Sequence, residues 1–450
     1  MRSHSKYGQR DSEPLLDGDD AFTGLNMALE PDLLQPGQYA FGRNVRLRRR
    51  KPTTRGGLLE LTWGQQGTPD ETEVWGAISY RNPLGDSFIL KARTDNAEIC
   101  DASGGCVEVP YDGFTLSSEV TLVQCFNVVV MLRGAGLTPV AWVPPSSWVS
   151  PYATGFTAIS QTGSGGTDAI PTGSAFGILF KNRLITPFDR DNLAASDVLN
   201  YTRYDPVAQQ FKINNGDEGS IQGIVAAGRN SLLIFKDYTL HVLENFTSDL
   251  TDVTQDELPL DLGLGARRTI VRYGTDILWL GKDLGFYSLS QALDNRLQGD
   301  ERALSDPIEP LMESIKPTLL DKCVAQVWNK MLYLALPLGD ATTEANCIVV
   351  YDFTLGAWVG VDTSALFDIH DLLLFPYQGR ERLIMVHADG RLFLMEEGSE
   401  DDGSDIPMEL ISRGYRCGTD AIKKFKTADV AISTWSPTYT IQSGVDAGNV

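Results

Sequence analysis

Short apolar runs separated by turn residues dominate the chain. The runs are rich in Val, Ile, Leu, Phe, Tyr and Trp, and few stretches repeat apolar residues at helical spacing. Seven pairs of runs are joined by turns that contain Gly, Asn or Asp, residues that accept the positive φ angles of tight hairpins. The pattern therefore predicts a mainly β protein. The predicted hairpins turn at Asp95-Asn96, Gly134-Ala135-Gly136, Lys181-Asn182, Lys236-Asp237, Lys282-Asp283, Asn329-Lys330 and Asp389-Gly390.

The spacing of these turns indicates a repeated unit. Their centres follow one another at roughly 40 to 60 residues, which is the spacing of four-stranded propeller blades. We therefore expect a β-propeller of about six to eight blades over residues 70–399, and two stacked β-sandwiches remain the alternative. Residues 21–69 and 400–450 carry strand patterns outside the hairpin series and are expected to pair into a small β platform. Residues 1–20 are expected to form a flexible tail, and one helix is predicted over 307–316.

Composition and charge exclude several classes of protein. The chain has 450 residues, a net charge of −21 and a pI near 4.6, which argues against wrapping nucleic acid. We expect neither a membrane span nor a signal peptide, because no long apolar run occurs and the first twenty residues are polar. The six cysteines lack Cys-x-x-Cys spacing, so free buried thiols are expected at Cys100, Cys106, Cys125, Cys323, Cys347 and Cys417.

Candidate catalytic residues are sparse. His241 and His387 lie in or beside predicted strands, where a structural role is favoured. The paired carboxylates Asp189 and Asp191 could serve glycoside hydrolysis, but such pairs are abundant in this sequence. We expect no catalytic site, no cofactor and no metal. A second possibility is sugar stacking by exposed aromatic residues, although core packing is favoured for the candidates Trp142, Trp148 and Trp358.

Two charged segments interrupt the repeat. Residues 43–55 hold seven basic residues and no acid, which is unusual in an acidic protein. The segment could bind DNA phosphates or an acidic face of a neighbouring subunit, and we favour the subunit contact. Residues 396–405 hold six acids and no base, and a solvated loop is expected there rather than a Ca²⁺ site. The candidate contact residues are Arg43, Arg46, Arg48, Arg49, Arg50, Lys51 and Arg55.

Three further segments carry distinctive strand and turn motifs. The first is Ala21–Gly57, with Gly24-Leu25-Asn26, Pro36-Gly37-Gln38 and Arg50-Lys51-Pro52. The second covers residues 228–289, with the sequences GRNSLLIFKDYTLHVLE and GTDILWLGKDLGFYSLS. The third is Leu410–Trp435. These segments resemble bacteriophage proteins of the short-tail nozzle kind, the tail tubular protein B family: the first resembles their start, the second their successive propeller strands, and the third a strand pair that returns after the propeller.

The resemblance implies a structural protein of the virion tail that is made in the host cytoplasm. It implies a ring, a homohexamer in that family, below the portal adaptor protein, with docking surfaces for tail fibre, spike or needle proteins. DNA would pass through the ring without specific binding, and the negative charge suits this role because a channel should not retain phosphates. The alternative is a phage propeller that binds carbohydrate on the host surface or degrades polysaccharide.

Overall fold

The computed structural model describes residues 18–415, except 63, 66–72, 135, 146–153, 160–169, 206–207, 215, 217–218, 248–249 and 299–301. Residues Asp19–Gly414 form one compact unit, and the architecture described below is that of this unit. The predicted N-terminal tail and most of the predicted C-terminal strand pair lie outside the described residues.

Six short strands precede the first blade. They include a two-stranded hairpin, β3–β4, that carries the centre of the basic segment. The strands are β1 (Gly24–Leu25), β2 (Gln38–Arg43), β3 (Val45–Arg48), β4 (Lys51–Thr54), β5 (Leu58–Glu60) and β6 (Gly64–Gln65).

The next four sheets are blades built from consecutive antiparallel strands. Blade 1 contains β7 (Val74–Arg81), β8 (Ser87–Arg93), β9 (Asn96–Asp101) and β10 (Gly105–Pro110), with β6 at its edge. Blade 2 contains β11 (Thr121–Cys125), β12 (Val128–Leu132), β13 (Val140–Trp142) and β14 (Phe156–Ala158). Blade 3 contains β15 (Ile178–Phe180), β16 (Arg183–Pro187), β17 (Asn192–Asp197), β18 (Asn200–Tyr204) and β19 (Gln210–Lys212). Blade 4 contains β20 (Ile221–Ala226), β21 (Leu232–Lys236), β22 (Leu240–Glu244) and β23 (Thr254–Leu258).

A three-stranded sheet and two larger blades complete the series. Sheet 5 contains β24 (Ala266–Tyr273), β25 (Asp276–Leu280) and β26 (Phe286–Ser288), and the helix α1 (Leu289–Gln298) follows it. Blade 6 contains β27 (Val324–Trp328), β28 (Met331–Leu336), β29 (Cys347–Asp352) and β30 (Ala357–Asp362). Blade 7 contains β31 (Ile369–Tyr377), β32 (Arg380–His387), β33 (Leu392–Met395), the N-terminal β5, β34 (Glu400–Asp401) and β35 (Ser404–Asp405).

The sheets are arranged as a closed β-propeller. The first strand of each sheet contacts the first strand of the next, and the last of these, β31, contacts β7 of blade 1. All seven predicted hairpins are present, one in each sheet of the ring. The propeller prediction is confirmed, and the alternative of stacked sandwiches is wrong.

The core consists of apolar layers between neighbouring sheets. Strand β21 shows why the sequence has continuous apolar runs: Leu232 and Ile234 pack towards blade 3, while Leu233 and Phe235 pack towards sheet 5. All four side chains are fully buried. A blade strand is covered on both faces, so it needs apolar residues at successive positions rather than at alternate ones.

The N-terminal segment closes the ring. Strand β5 pairs with β33 of blade 7, and the chain then continues through β6 into blade 1. A strand from the N-terminal segment and strands from near the end of the described chain therefore belong to the same sheet, that of blade 7. This differs from the predicted boundary, which placed residues 58–60 in a separate platform, because β5 finds its hydrogen-bonding partners on blade 7.

The terminal strands also pair with each other. Strand β36 (Glu409–Ser412) lies antiparallel to β2, and β2 in turn pairs with β1 and with β30 of blade 6. The expected pairing of the two terminal segments is thus present within the described residues. The sheet it forms is continuous with blade 6 rather than separate.

The helical elements differ from the prediction. The predicted helix over 307–316 is a 3₁₀ turn at Asp306–Ile308 followed by the short helix α2 (Glu309–Met312). Pro307 and Pro310 supply no backbone N–H, so the segment cannot continue as a regular helix. The longer α1 was not predicted, although Leu289, Ala292, Leu293 and Leu297 lie at helical spacing in its sequence.

Two of the cysteines are bonded to each other. Cys100 and Cys106 lie directly opposite on β9 and β10 and form a disulfide, which corrects the expectation of free thiols at these positions. Cys125, Cys323 and Cys347 are free and buried, as expected, and Cys417 lies outside the described residues. The register of the β9–β10 hairpin places the two cysteines opposite each other. Because they are six residues apart, they do not show the Cys-x-x-Cys spacing.

We predict that β5 contributes to stability through its inward face. Leu58 is buried in the core, whereas the next residue, Leu59, is 47% exposed. Leu58→Ala should lower the free energy of unfolding by about 2 to 5 kcal/mol, because it leaves a cavity at the closing strand. Leu59→Ala should change it by only about 0.5 kcal/mol or less. Urea unfolding of both variants measures the difference, and equal effects would contradict this role of β5.

Candidate functional site

The structure divides the basic segment 43–55 into an internal part and an exposed part. Arg46 and Arg55 are buried, at 2% and 4% exposure. Arg48, Arg49, Arg50 and Lys51 are exposed. The seven residues therefore do not form one contact surface, and the prediction of a subunit contact is wrong for the two buried arginines.

Arg46 joins two blades and the N-terminal hairpin. Its guanidinium donates to both carboxylate oxygens of Asp362, at 2.8 and 2.5 Å, and to Glu396 Oε1, at 2.9 Å from Nε. Asp362 ends β30 of blade 6, and Glu396 follows β33 of blade 7. This is a bidentate, charge-assisted arrangement, which is among the strongest polar contacts in proteins.

The surroundings of Arg46 keep all three charges in place. Burial alone would lower the pKa of Arg46, but the carboxylates of Asp362 and Glu396 raise it well above its usual value. Glu396 also accepts the backbone N–H of Gly56 at 2.9 Å through Oε2. The guanidinium lies 5.8 Å from the centre of the Tyr333 ring. The arginine is therefore permanently charged and held by several partners.

Arg55 forms a second buried link. Its guanidinium donates to both oxygens of Asp401, at 2.8 and 2.5 Å, and its Nε donates to Asn44 Oδ1 at 3.0 Å. Asn44 is fully buried with a φ of 56°, a left-handed conformation that Asn tolerates better than most residues. Its side-chain amide also donates to the Pro407 carbonyl at 2.7 Å. Residues 44–55 are thus tied to the segment around residues 401–407.

The acidic segment 396–405 is consequently not a uniformly solvated loop. Asp401 is 6% exposed, and the Glu396 side chain is 13% exposed. Both carboxylates are partners of the basic segment, whereas Glu400, Asp402 and Asp405 are exposed as expected. The buried residues of the two charged segments pair with each other within one chain, whereas the sequence analysis treats the segments separately.

The exposed part of the basic segment is the tip of the β3–β4 hairpin. Arg48 pairs with Lys51 across the strands, and Arg49 and Arg50 form the two-residue turn. Within the described residues, none of these four side chains makes a hydrogen bond or an ion pair. The Arg50 carbonyl accepts the backbone N–H of Phe22 at 2.8 Å, which fixes the turn to the body of the protein. We call these four residues the basic tip.

The turn of the basic tip is conformationally unusual. Arg49 and Arg50 have φ angles of 54° and 60°, and two-residue turns of this kind favour Asn-Gly because ordinary residues are strained there. Each left-handed residue other than Gly costs on the order of 1 kcal/mol. A turn selected only for stability would not place two arginines here. The strain is compatible with a role for the two charges in contacting another molecule rather than in stabilising this chain.

Arg43 has an intermediate position. It donates to Glu409 at 2.7 Å, and both side chains are about 40% exposed. Surface ion pairs of this kind contribute about 1 kcal/mol or less. Arg43 links β2 to β36 and is not part of the basic tip.

The carboxylate pair considered for hydrolysis has a structural role. Asp189 accepts the backbone N–H groups of Asp191 and Asn192, at 2.9 and 2.8 Å, and these bonds help to lower its pKa even though burial acts against them. Asp191 pairs with the fully buried Lys236 at 2.8 Å and so links blade 3 to blade 4. A general acid for glycoside cleavage requires a raised pKa, so Asp189 does not fit that role, and Asp191 is engaged with Lys236.

The candidate aromatic and histidine residues are also structural where they are described. Trp142 and Trp358 are buried in the core, at 0% and 1% exposure, so they cannot stack on sugars. Trp148 lies outside the described residues. His241 is fully buried in β22, and His387 ends β32 and contacts Asp389 at 2.7 Å. The structural interpretation of both histidines is consistent with these contacts.

One group of metal-binding residue types occurs among the described residues. Donor atoms of Glu98, Cys100 and Cys106 lie within 4.8 Å of one another. The two sulfurs are bonded to each other, and the Glu98 carboxylate lies 2.7 Å from the Lys91 ammonium. These donors are already engaged and do not form a metal site in this state. No helix in the described part of the chain is long and apolar enough to cross a membrane.

Sequence reasoning missed the partners of the buried arginines. Asp362 ends an otherwise apolar strand, and a lone acid at the end of such a run was the only available signal. Nothing in the sequence around Asn44 indicates that it contacts Arg55. These residues become recognisable only when blades 6 and 7 and the N-terminal hairpin are brought together.

We predict that the two parts of the basic segment respond differently to truncation. Arg46→Ala should destabilise the protein by about 3 to 5 kcal/mol, because it leaves the carboxylates of Asp362 and Glu396 buried without a cation. Arg48→Ala, two residues away on the same strand, should change the free energy of unfolding by about 0.5 kcal/mol or less. Urea unfolding monitored by tryptophan fluorescence measures both. Similar stabilities of the two variants would mean that Arg46 does not hold the blades together.

Comparison with known proteins identifies only similar folds. No protein-family model matches this chain, and no curated protein matches it. Among solved structures, the extracellular domain of a putative hybrid two-component system from B. thetaiotaomicron is similar over 76% of this chain and 42% of that chain, with 10% identity and a TM-score of 0.46. PorZ of the type IX secretion system of Porphyromonas gingivalis is similar over 76% of this chain and 38% of its own, with 13% identity and a TM-score of 0.43. BamB from Moraxella catarrhalis is similar over 76% of this chain and 96% of its own, with 11% identity and a TM-score of 0.38. This chain therefore spans less than half of the first two proteins.

Proposed function

We propose that this protein is a structural subunit of a phage tail, a nozzle protein that assembles into a ring below the portal adaptor protein. The observation that carries the proposal is the basic tip. Four adjacent cations project from a protein with a net charge of −21, and they have no acidic partner among the described residues. A second macromolecule with an acidic face would supply that partner. The resemblance of residues 21–57, 228–289 and 410–435 to tail nozzle proteins supports the same assignment.

An acidic protein surface is a better partner for the basic tip than DNA. Affinity for DNA increases with the number of phosphates that a protein neutralises. Four cations add little DNA affinity when the rest of the protein is acidic and repels the phosphates at long range. Repulsion between copies of an acidic protein, in contrast, has to be offset locally wherever the copies meet. We assign the basic tip to a contact between subunits or to docking on the adaptor. DNA would pass through the ring without specific binding.

The fold is suited to a structural role. The buried links through Arg46 and Arg55 hold the hairpin rigidly against blades 6 and 7, so the basic tip has a defined position. A rigid, preorganised contact loses less conformational entropy on assembly than a mobile loop. We propose no catalytic activity for this chain and no cofactor. The ring, a homohexamer by the resemblance, would also offer surfaces for fibre, spike or needle proteins.

A phage propeller that binds or degrades host-surface carbohydrate is the alternative function. This function would require exposed aromatic residues or a carboxylate pair with one raised pKa. Trp142 and Trp358 are buried in the core, and Asp189 accepts hydrogen bonds within a turn. Saturable binding or turnover of a host glycan by the purified protein would favour this alternative.

We predict that the basic tip is required for assembly but not for folding. Replacing Arg48, Arg49 and Arg50 with Ser should leave the melting temperature within a few degrees, because exposed charges contribute little to stability. The same change should weaken ring formation or adaptor docking, and added salt should weaken the wild-type contact in the same way. Analytical ultracentrifugation and native mass spectrometry measure assembly.

A matched control separates a local contact from an effect of net charge. Arg229, Lys330 and Arg380 are exposed on other parts of the propeller, and their replacement by Ser removes the same number of charges. This control variant should assemble like the wild type. Unchanged assembly of the basic-tip variant at physiological salt would contradict the proposal, and a loss of DNA affinity with intact assembly would favour a phosphate-binding role.

A further inference from the structure

The first strands of the sheets surround the centre of the propeller, and charged side chains meet there across the ring. Arg268 on β24 of sheet 5 reaches Glu119, which precedes β11 of blade 2, at 3.1 Å. The neighbouring Arg267 reaches Phe176, which precedes β15 of blade 3. Sheet 5 is adjacent to neither blade 2 nor blade 3, so both arginines extend across the central opening.

A β-bulge makes this arrangement possible. In the pairing of β24 with β25, Ala266 lies opposite Leu280 and Val271 lies opposite Leu278, so residues 267–270 form an irregular insertion. Successive residues of a regular strand would point to opposite faces of the sheet, whereas a bulge can redirect a side chain. Thr269 stabilises the insertion, because its hydroxyl donates to the Ala266 carbonyl at 2.6 Å and accepts the Leu280 N–H at 3.0 Å. The bulge is therefore a defined element of the structure.

Arg268 is held firmly but is not fully paired. Besides Glu119, its guanidinium donates to the carbonyl oxygen of His370 at 2.5 Å and to that of Asp321 at 3.4 Å. Its Nε is buried and has no hydrogen-bond acceptor. One N–H donor of an anchored guanidinium is therefore enclosed without an acceptor.

The acids around Arg268 are shared with other cations. Lys322 lies 2.6 Å from Glu119 and 3.1 Å from Glu344, and Glu344 also contacts His370 at 3.3 Å. These carboxylates are therefore largely neutralised by their partners. Asp371 also interacts with Arg268, and burial raises the pKa of Asp371 while the charge of Arg268 acts in the opposite direction.

Arg267 makes no hydrogen bond or ion pair among the described residues. Its guanidinium lies 4.6 Å from the centre of the Phe176 ring, and stacking on an aromatic face leaves the N–H groups at the edge of the guanidinium free. Burial lowers the pKa of Arg267 to about 10; the nearby carboxylate of Glu119 acts against this and the charge of Arg268 acts with it, so the side chain still carries its charge at neutral pH. An anion beside Arg267 would accept hydrogen bonds from these free N–H groups.

We propose that Arg267 and Arg268 form a binding site for a small oxyanion, a carboxylate or a phosphate, at the centre of the propeller. Phe176 orients Arg267, and Glu119 and the His370 carbonyl orient Arg268. A planar guanidinium presents two parallel N–H donors that match two oxygens of such an anion. The site is independent of the basic tip and of the proposed assembly.

Titration calorimetry of the full-length protein tests the site, with inorganic phosphate and with succinate as separate probes in a buffer of low chloride. We expect saturable binding of at least one anion, in the millimolar range or tighter. Binding of phosphate alone identifies a phosphate site, binding of succinate alone identifies a carboxylate site, and binding of both identifies a general oxyanion site. Absence of saturable binding of either anion would overturn the proposal.

Three variants locate the site. Arg267→Gln should weaken binding at least tenfold without lowering the melting temperature, since the side chain has no ion pair to lose within the described residues. Arg267→Lys should weaken it less, because it keeps the charge and loses the planar donor pair. Arg272→Gln removes an exposed arginine from the same strand and should bind like the wild type. If Arg267→Gln and Arg267→Lys both bind as tightly as the wild type, the anion does not bind at this site.

Discussion

The architecture depends on the buried contact of Arg46 with Asp362 and Glu396. A propeller has to join its last blade to the rest of the ring, and here the N-terminal segment lies at that junction. Removing three charges from water is costly, and the cost is offset only when geometry and additional hydrogen bonds are favourable. The bidentate pairing with Asp362 and the Gly56 N–H on Glu396 meet this condition. Because Asp362 belongs to blade 6 and Glu396 follows β33 of blade 7, one side chain fixes the relative position of both blades.

The basic segment serves two purposes because a short hairpin has an inner part and an outer end. Arg46 lies where β3 is covered by the blades, and Arg48 lies two residues further on, where the hairpin leaves the body of the protein. Arginine therefore has two roles in this hairpin. The buried charge of Arg46 connects blades, whereas the exposed charge of Arg48 has no partner in the described chain. The rigidity supplied by the inner arginines is what gives the basic tip a fixed orientation.

The centre of the ring uses arginine in a third way. The bulge in β24 directs two consecutive arginines across the opening, where one is tied to Glu119 and the other lies on Phe176. A closed propeller brings the starts of its first strands together, so side chains that are far apart in sequence meet there. Glu119 and Lys322 are about 200 residues apart and lie 2.6 Å from each other. Such a cluster has no local sequence signature.

Much of the fold was determined by local sequence. The seven hairpins were predictable, because tight turns need residues that accept positive φ, and Lys181-Asn182 and Asn329-Lys330 have that conformation. The apolar runs were predictable as strands because both faces of a blade strand are covered. The placement of β5 in blade 7, the Cys100–Cys106 bond, the burial of Arg46 and Arg55 and the crossing of Arg267 to Phe176 were decided by tertiary structure. Each depends on which distant segments become neighbours, and the energy of a buried charge or a strand edge is set by those neighbours rather than by residues nearby in the chain.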